Sequence, residues 1–197
     1  MKKAADCRNF VIAGHSGIGK STLLKLLLGV FQPKGGQLYV DMNNGTIPLD
    51  RSTRGLFAYV PQGNLLLSGT LRENLTITNP NATQEQINQA IHVSAMDDFL
   101  PSLPQGLETY LGESGAGLSE GQAQRLAIAR AIISGAPILL LDECTSALDE
   151  TTERRVLLNL KALPNRTCLA VTHRPAAMEL CDWKLEICDG KISAQKM

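Results

Sequence analysis

Gly14-His15-Ser16-Gly17-Ile18-Gly19-Lys20-Ser21 decides the reading of this chain, because it stands between a short apolar run and an amphipathic stretch. The spacing G-x-x-x-x-G-K-S is what a backbone needs to wrap a phosphate group. Glycines allow the turns, and successive N–H groups then converge on the anion's oxygens. Phe10-Val11-Ile12-Ala13 before it predicts a buried strand. Ser21 to Leu28 after it predicts a helix whose positive end faces the same anion. Lys20 supplies a flexible cation for the outer phosphates, and the Ser21 hydroxyl a ligand for magnesium. Gly14, Ser16, Gly17, Gly19, Lys20, Ser21 and Thr22 are the expected nucleotide-binding residues of this loop.

Outward from the loop, Leu38-Tyr39-Val40, Leu56 to Val60, Ile138 to Leu141 and Cys168 to Val171 predict further strands. Their alternation with amphipathic stretches predicts an α/β fold with parallel strands. Trp183 to Cys188, followed by Asp189-Gly190, predicts a strand and a hairpin turn. Between Asn64 and Ser134 the texture changes. Thr70-x-x-Glu73, Thr83-x-x-Gln86 and Ser119-x-x-Gln122 are helix-start signatures, Pro80, Pro101 and Pro104 punctuate the region, and no strand-like run stands out. The expectation is a single domain, with residues 1–63 and 135–197 forming an α/β core and residues 64–134 an inserted helical subdomain.

Composition excludes several classes of function. In 197 residues, Lys+Arg 19 balance Asp+Glu 19, so there is no broad basic face for nucleic acid. One Trp, three Tyr and four Phe are too few for a base-stacking platform. No stretch approaches the roughly 18 apolar residues that cross a bilayer. Met1 to Asp6 leads into no apolar core, so a secretory signal is not expected. Five cysteines (7, 144, 168, 181 and 188) without a CxxC pair read as buried, reduced thiols rather than a metal site.

Two further segments carry chemistry. Ile138 to Leu141 runs into Asp142-Glu143. Asp142 is placed to hold magnesium through water, and Glu143 to orient or deprotonate a water attacking a phosphoanhydride. Leu118-Ser119-Glu120-Gly121-Gln122 is a second helix start, with Ser119 at the cap and Gly121 able to approach a ligand closely.

Together these segments resemble the nucleotide-binding domain of ATP-binding cassette (ABC) transporters, and the resemblance covers nearly the whole chain. Leu118 to Gln122 is similar to the family signature LSGGQ, with Glu120 in place of the first glycine. Gln62, in Tyr59-Val60-Pro61-Gln62, resembles the glutamine that contacts magnesium and the attacking water. Ser146-Ala147-Leu148-Asp149 resembles the family's D-loop, and His173 its switch histidine. Leu67 to Asn74 and Gly112-Glu113-Ser114-Gly115 resemble segments of ABC exporters, in which the second, acidic segment lies near the membrane domain.

The resemblance implies a RecA-like P-loop NTPase core that binds ATP and Mg2+ and hydrolyses ATP to drive transport. It implies catalytic Glu143, His173 and Gln62, and metal ligation by Ser21, Gln62 and Asp142. It also implies pairing with a second nucleotide-binding domain, identical or not, in which Ser119, Gly121 and Gln122 cap the nucleotide of the other copy. Transmembrane domains, separate or fused, would hold the assembly at the cytoplasmic face of the membrane. One feature departs from the family. Only 13 residues precede Gly14, and their sole aromatic, Phe10, belongs to the predicted strand. No adenine-stacking residue is therefore expected: either the chain is shortened or it binds nucleotide chiefly by its phosphates. A soluble ABC-type ATPase of DNA repair or translation is the first alternative. The repair class needs a long coiled coil between loop and signature, which this sequence lacks, and the translation class carries tandem cassettes. A regulatory module without turnover is the second, opposed by the intact Lys20, Asp142, Glu143 and His173.

Overall fold

The computed structural model of the chain describes residues 9–15, 17–42, 45–63, 66–113, 117–188 and 190–197. Its first half runs β1 (Asn9–Ala13), α1 (Lys20–Leu27), β2 (Tyr39–Met42), β3 (Gly45–Pro48), β4 (Phe57–Val60), β5 (Gly69–Thr70), α2 (Leu71–Thr76) and α3 (Gln84–Val93). The second half runs β6 (Tyr110–Leu111), α4 (Glu120–Ile133), β7 (Ile138–Asp142), α5 (Glu150–Lys161), β8 (Thr167–Val171), α6 (Pro175–Leu180), β9 (Trp183–Cys188) and β10 (Lys191–Lys196).

Leu139, Leu140 and Leu141 leave β7 no polar face, and the fold covers both of its sides. Leu140 packs with Ile12, Leu24 and Val171 beneath α1. Leu139 and Leu141 join the larger cluster that holds Leu126 and Ile128 of α4 and Val156 of α5. A strand enclosed in this way sits inside a parallel sheet. The sheet has the order β10-β9-β1-β8-β7-β4, parallel throughout except for the terminal β9–β10 hairpin. That hairpin follows the predicted turn, of which Asp189 lies outside the described residues.

The three helix-start signatures all close as reciprocal caps. Thr70, Thr83 and Ser119 accept from the backbone N–H of Glu73, Gln86 and Gln122 at 3.1, 3.2 and 3.2 Å, and the three long side chains reach back at 2.7, 2.9 and 2.9 Å. Helices α2 and α3 pack on α4, and α4 also packs on β4. Asn74, 2% exposed, ties α2 to the segment before it through both the N–H and the carbonyl of Leu67.

Three expectations need correction. Leu38-Tyr39-Val40 does not join the parallel sheet: β2 begins at Tyr39 and pairs only with β3, in an antiparallel two-stranded sheet of its own. With Tyr39 58% exposed, this strand lacks the two-sided burial of β7. The helical region does contain a strand pair, since Gly69–Thr70 and Tyr110–Leu111 meet as β5 and β6; strands of two residues leave no periodicity to read. Of the cysteines, 144, 168 and 181 are buried but Cys188 is exposed, because it ends β9 where the hairpin emerges; Cys7 lies outside the described residues. Among the described residues no helix is long and apolar enough to cross a membrane, and no cluster of His, Cys, Asp and Glu could hold a metal unaided.

Candidate nucleotide-binding site

Parallel pairing of β1, β8, β7 and β4 brings the segments that follow them to one edge of the sheet, which is where open α/β sheets bind ligands. After β1 comes the phosphate loop. Its described glycines, Gly14, Gly17 and Gly19, have φ of 150°, 80° and 103°. Gly17 and Gly19 have open space where a Cβ would stand, so the last two are glycine for backbone conformation, not for room. Lys20, 6% exposed, folds over the loop and donates from Nζ to the carbonyls of Gly14 and His15 at 2.7 and 3.0 Å. Ser21 is half-buried and Thr22 exposed in the first turn of α1. Ser16 lies outside the described residues.

After β7 come the two carboxylates. The Ser21 hydroxyl donates to Asp142 Oδ1 at 3.0 Å, joining the first turn of α1 to the end of β7. The Tyr59 hydroxyl donates to Asp142 Oδ2 at 3.0 Å, so both carboxylate oxygens are engaged. Burial, reinforced by that carboxylate, pushes the Tyr59 phenol up to about 12. It therefore keeps its proton and remains a donor at neutral pH. Tyr59 is a site residue that sequence reasoning missed. The signal was available: in a strand that ends at the site, it is the one polar-tipped aromatic.

Glu143, immediately beyond, gathers the other two residues expected to be catalytic. Gln62 donates from Nε2 to Glu143 Oε2 at 3.0 Å, and His173 Nε2 stands 3.8 Å from Glu143 Oε1. Glu143 is half-buried, Gln62 and His173 are exposed, and all three line an accessible edge. Cys144 turns the other way into the core, where burial raises its thiol to about 12 and leaves it unreactive.

Ser119, Gly121 and Gln122 form a separate group at the start of α4. Ser119 and Gln122 are engaged with each other through the cap. A Cβ on Gly121 would lie 3.0 Å from the Ala147 carbonyl oxygen, so within this chain the glycine permits a close approach of α4 to the segment after β7. Glu113 is exposed, and Ser114 and Gly115 lie outside the described residues.

The donor set suits magnesium and a polyphosphate. Ser21, Gln62 and Asp142 offer hard oxygen atoms on neighbouring elements, and Lys20 and the N-terminus of α1 offer positive charge beside them. A phosphate loop, an acidic strand end and a polar cluster on the next strand ends define a nucleoside triphosphatase of the phosphate-loop class.

Comparison with known proteins narrows that class. The family model for ABC transporters matches residues 5–146. A probable ABC transporter ATP-binding/permease protein of Haemophilus influenzae is 41% identical over 187 residues, covering 92% of this chain and 33% of that protein. The mycobactin import ATP-binding/permease protein IrtB of Mycobacterium bovis is 39% identical over 182 residues, covering 92% of this chain and 31% of that protein. Among solved structures, that of a bacterial Atm1-family ABC exporter with ATP bound superposes with a TM-score of 0.85 at 34% identity, covering 94% of this chain and 33% of that one. The chain belongs to the ABC transporter family and is its ATP-binding domain, an ATPase. It spans about a third of the length of the curated relatives it matches.

Proposed function

We propose that this chain hydrolyses ATP at the edge formed by β1, β4, β7 and β8, as one half of a pair of nucleotide-binding domains that drives an exporter. Lys20 and the first N–H groups of α1 bind the β- and γ-phosphates. Glu143 orients a water and takes its proton as the oxygen attacks the γ-phosphorus, and the bond to the β-phosphate oxygen breaks to leave ADP and phosphate. Gln62 steadies the carboxylate and the water, and His173 donates to a γ-phosphate oxygen. Ser21, Gln62 and Asp142 would hold Mg2+, which would supply charge neutralisation for the phosphates. The observation that carries this reading is the meeting of Gln62, Glu143 and His173, from the ends of three strands, beside the phosphate loop.

In this reading residues 64–134 are the helical subdomain that carries the signature segment. Ser119, Gly121 and Gln122 of one copy close on the nucleotide of the other, so ATP binding joins the pair and hydrolysis releases it. Relatives named as ATP-binding/permease proteins support membrane-spanning partners, with this domain on the cytoplasmic face. The exporter direction is supported by the Atm1-family neighbour, whereas one relative is named for import.

The decisive experiment is Glu143→Gln. Turnover is expected to fall about 10²–10⁴-fold, the range for loss of a general base, with ATP binding retained. With ATP and magnesium the same variant is expected to sediment as a dimer, and addition of Ser119→Arg to return it to monomer. Turnover equal to the parent would refute the role of Glu143, and a variant that stays monomeric would refute the paired arrangement.

A further inference from the structure

Glu143 has φ of 50°, a left-handed backbone that a residue with a Cβ adopts only when its surroundings enforce it. Its own N–H donates to the Val171 carbonyl at 2.9 Å, which anchors it on one side. On the other side the chain turns through Cys144, Thr145, Ser146 and Ala147. Ser146 and Ala147 are exposed, so apolar packing does not hold this part of the turn.

Hydrogen bonds from two other elements hold it. Gln124 of α4 is 1% exposed and uses both ends of its amide: Nε2 donates to Ser146 Oγ at 3.0 Å, and Oε1 accepts the Ala147 N–H at 3.0 Å. Arg174, next to His173, donates from Nη2 to the Ser146 carbonyl at 2.7 Å and from Nη1 to Glu153 Oε2 at 3.0 Å. Glu153 is 1% exposed on α5 and accepts the Thr145 hydroxyl at 2.8 Å, so Arg174 is itself braced against the turn it grips. The approach of α4 that brings Gln124 within reach is the one that Gly121 allows. Buried amides satisfied at both ends are directional and rigid, unlike an apolar contact.

We propose that Gln124 and Arg174 are positioning residues for hydrolysis: by gripping the turn at Ser146–Ala147 from α4 and from the segment after β8, they hold Glu143 in its left-handed conformation with its carboxylate on Gln62 and beside His173. The inference rests on the role given to Glu143 above. It also gives the signature helix a direct hold on the hydrolytic group of its own chain, through Gln124, distinct from any contact with a second copy. Lys20 and the phosphate loop take no part in this grip, so nucleotide binding and turnover respond to it differently.

The test compares Gln124→Leu and Arg174→Lys with Glu143→Gln, each alone and combined with Glu143→Gln, using ATP and magnesium. Both single variants are expected to lose turnover about 10–100-fold, the scale of a displacement near 1 Å at a reacting group, with ATP affinity within about twofold of the parent. Because both act through Glu143, neither is expected to lower the residual turnover of Glu143→Gln further. Amide hydrogen exchange at Ser146 and Leu148 is expected to quicken. Arg174→Lys keeps a cation for Glu153 and is half-buried, so it decides the matter if Gln124→Leu does not fold. Parent turnover in Arg174→Lys, or losses that add to that of Glu143→Gln, would overturn the grip. Parent turnover in Glu143→Gln would instead overturn the reading on which it rests.

Discussion

Helix α1 begins after Gly19 with no side-chain cap among the described residues, whereas α4 begins after Ser119 with a closed capping box. At the first helical position α1 carries Lys20 and α4 carries Glu120, and no acidic residue stands in the first turn of α1. A helix start leaves backbone N–H groups without intrahelical partners, and these attract anions. In α1 those donors point into a glycine loop with a cation beside them. In α4 the N–H of Gln122 is already satisfied by Ser119, and a carboxylate stands at the entrance. The two helix starts are therefore suited to different anions. In the paired arrangement proposed above, a nucleotide phosphate would be taken first by α1, and α4 would meet one only when a second copy presents it already neutralised.

Three substitutions bear on that contrast. Lys20→Ala removes the cation at the start of α1 and is expected to weaken ATP binding by about 10–100-fold, the scale of a hydrogen bond to a charged group. Titration calorimetry giving parent affinity would break the comparison at its stronger end. Gly19→Ala puts a Cβ at φ 103° with open space around it, so strain alone acts. A loss of about 1–3 kcal/mol in denaturant-measured stability is expected, accompanied by weaker ATP binding. Ser119→Ala opens the box on α4 and is expected to cost about 1 kcal/mol of stability while leaving ATP affinity of the monomer unchanged. A drop in monomer affinity there would show that α4 shares the nucleotide of its own chain.

The sequence made local features legible. The strand and helix on either side of the glycine loop, the acidic end of β7 and the three capping boxes each depend on residues within a few positions, and these elements formed as read. Tyr59 was visible as a strand residue but not as a partner of Asp142, because that contact needs β4 to pair with β7 in the register Tyr59↔Leu140. Gln124, Arg174 and Glu153 were invisible for the same reason: their partners lie on other elements, and nothing in their neighbours' spacing announces them. The β2–β3 hairpin was misassigned because an apolar triplet does not say which sheet it joins. The gathering of Gln62, Glu143 and His173 was anticipated only through family resemblance, and strand order supplies the physical reason for it.

Amide NMR during an ATP–magnesium titration tests the central contrast most directly, at a protein concentration where the chain is monomeric. The account predicts that the amides of Lys20, Ser21 and Thr22 shift and saturate while those of Gly121 and Gln122 stay in place until dimers form. Shifts of Gly121 and Gln122 in the monomer equal to those in α1, or an α1 start that does not respond, would contradict it.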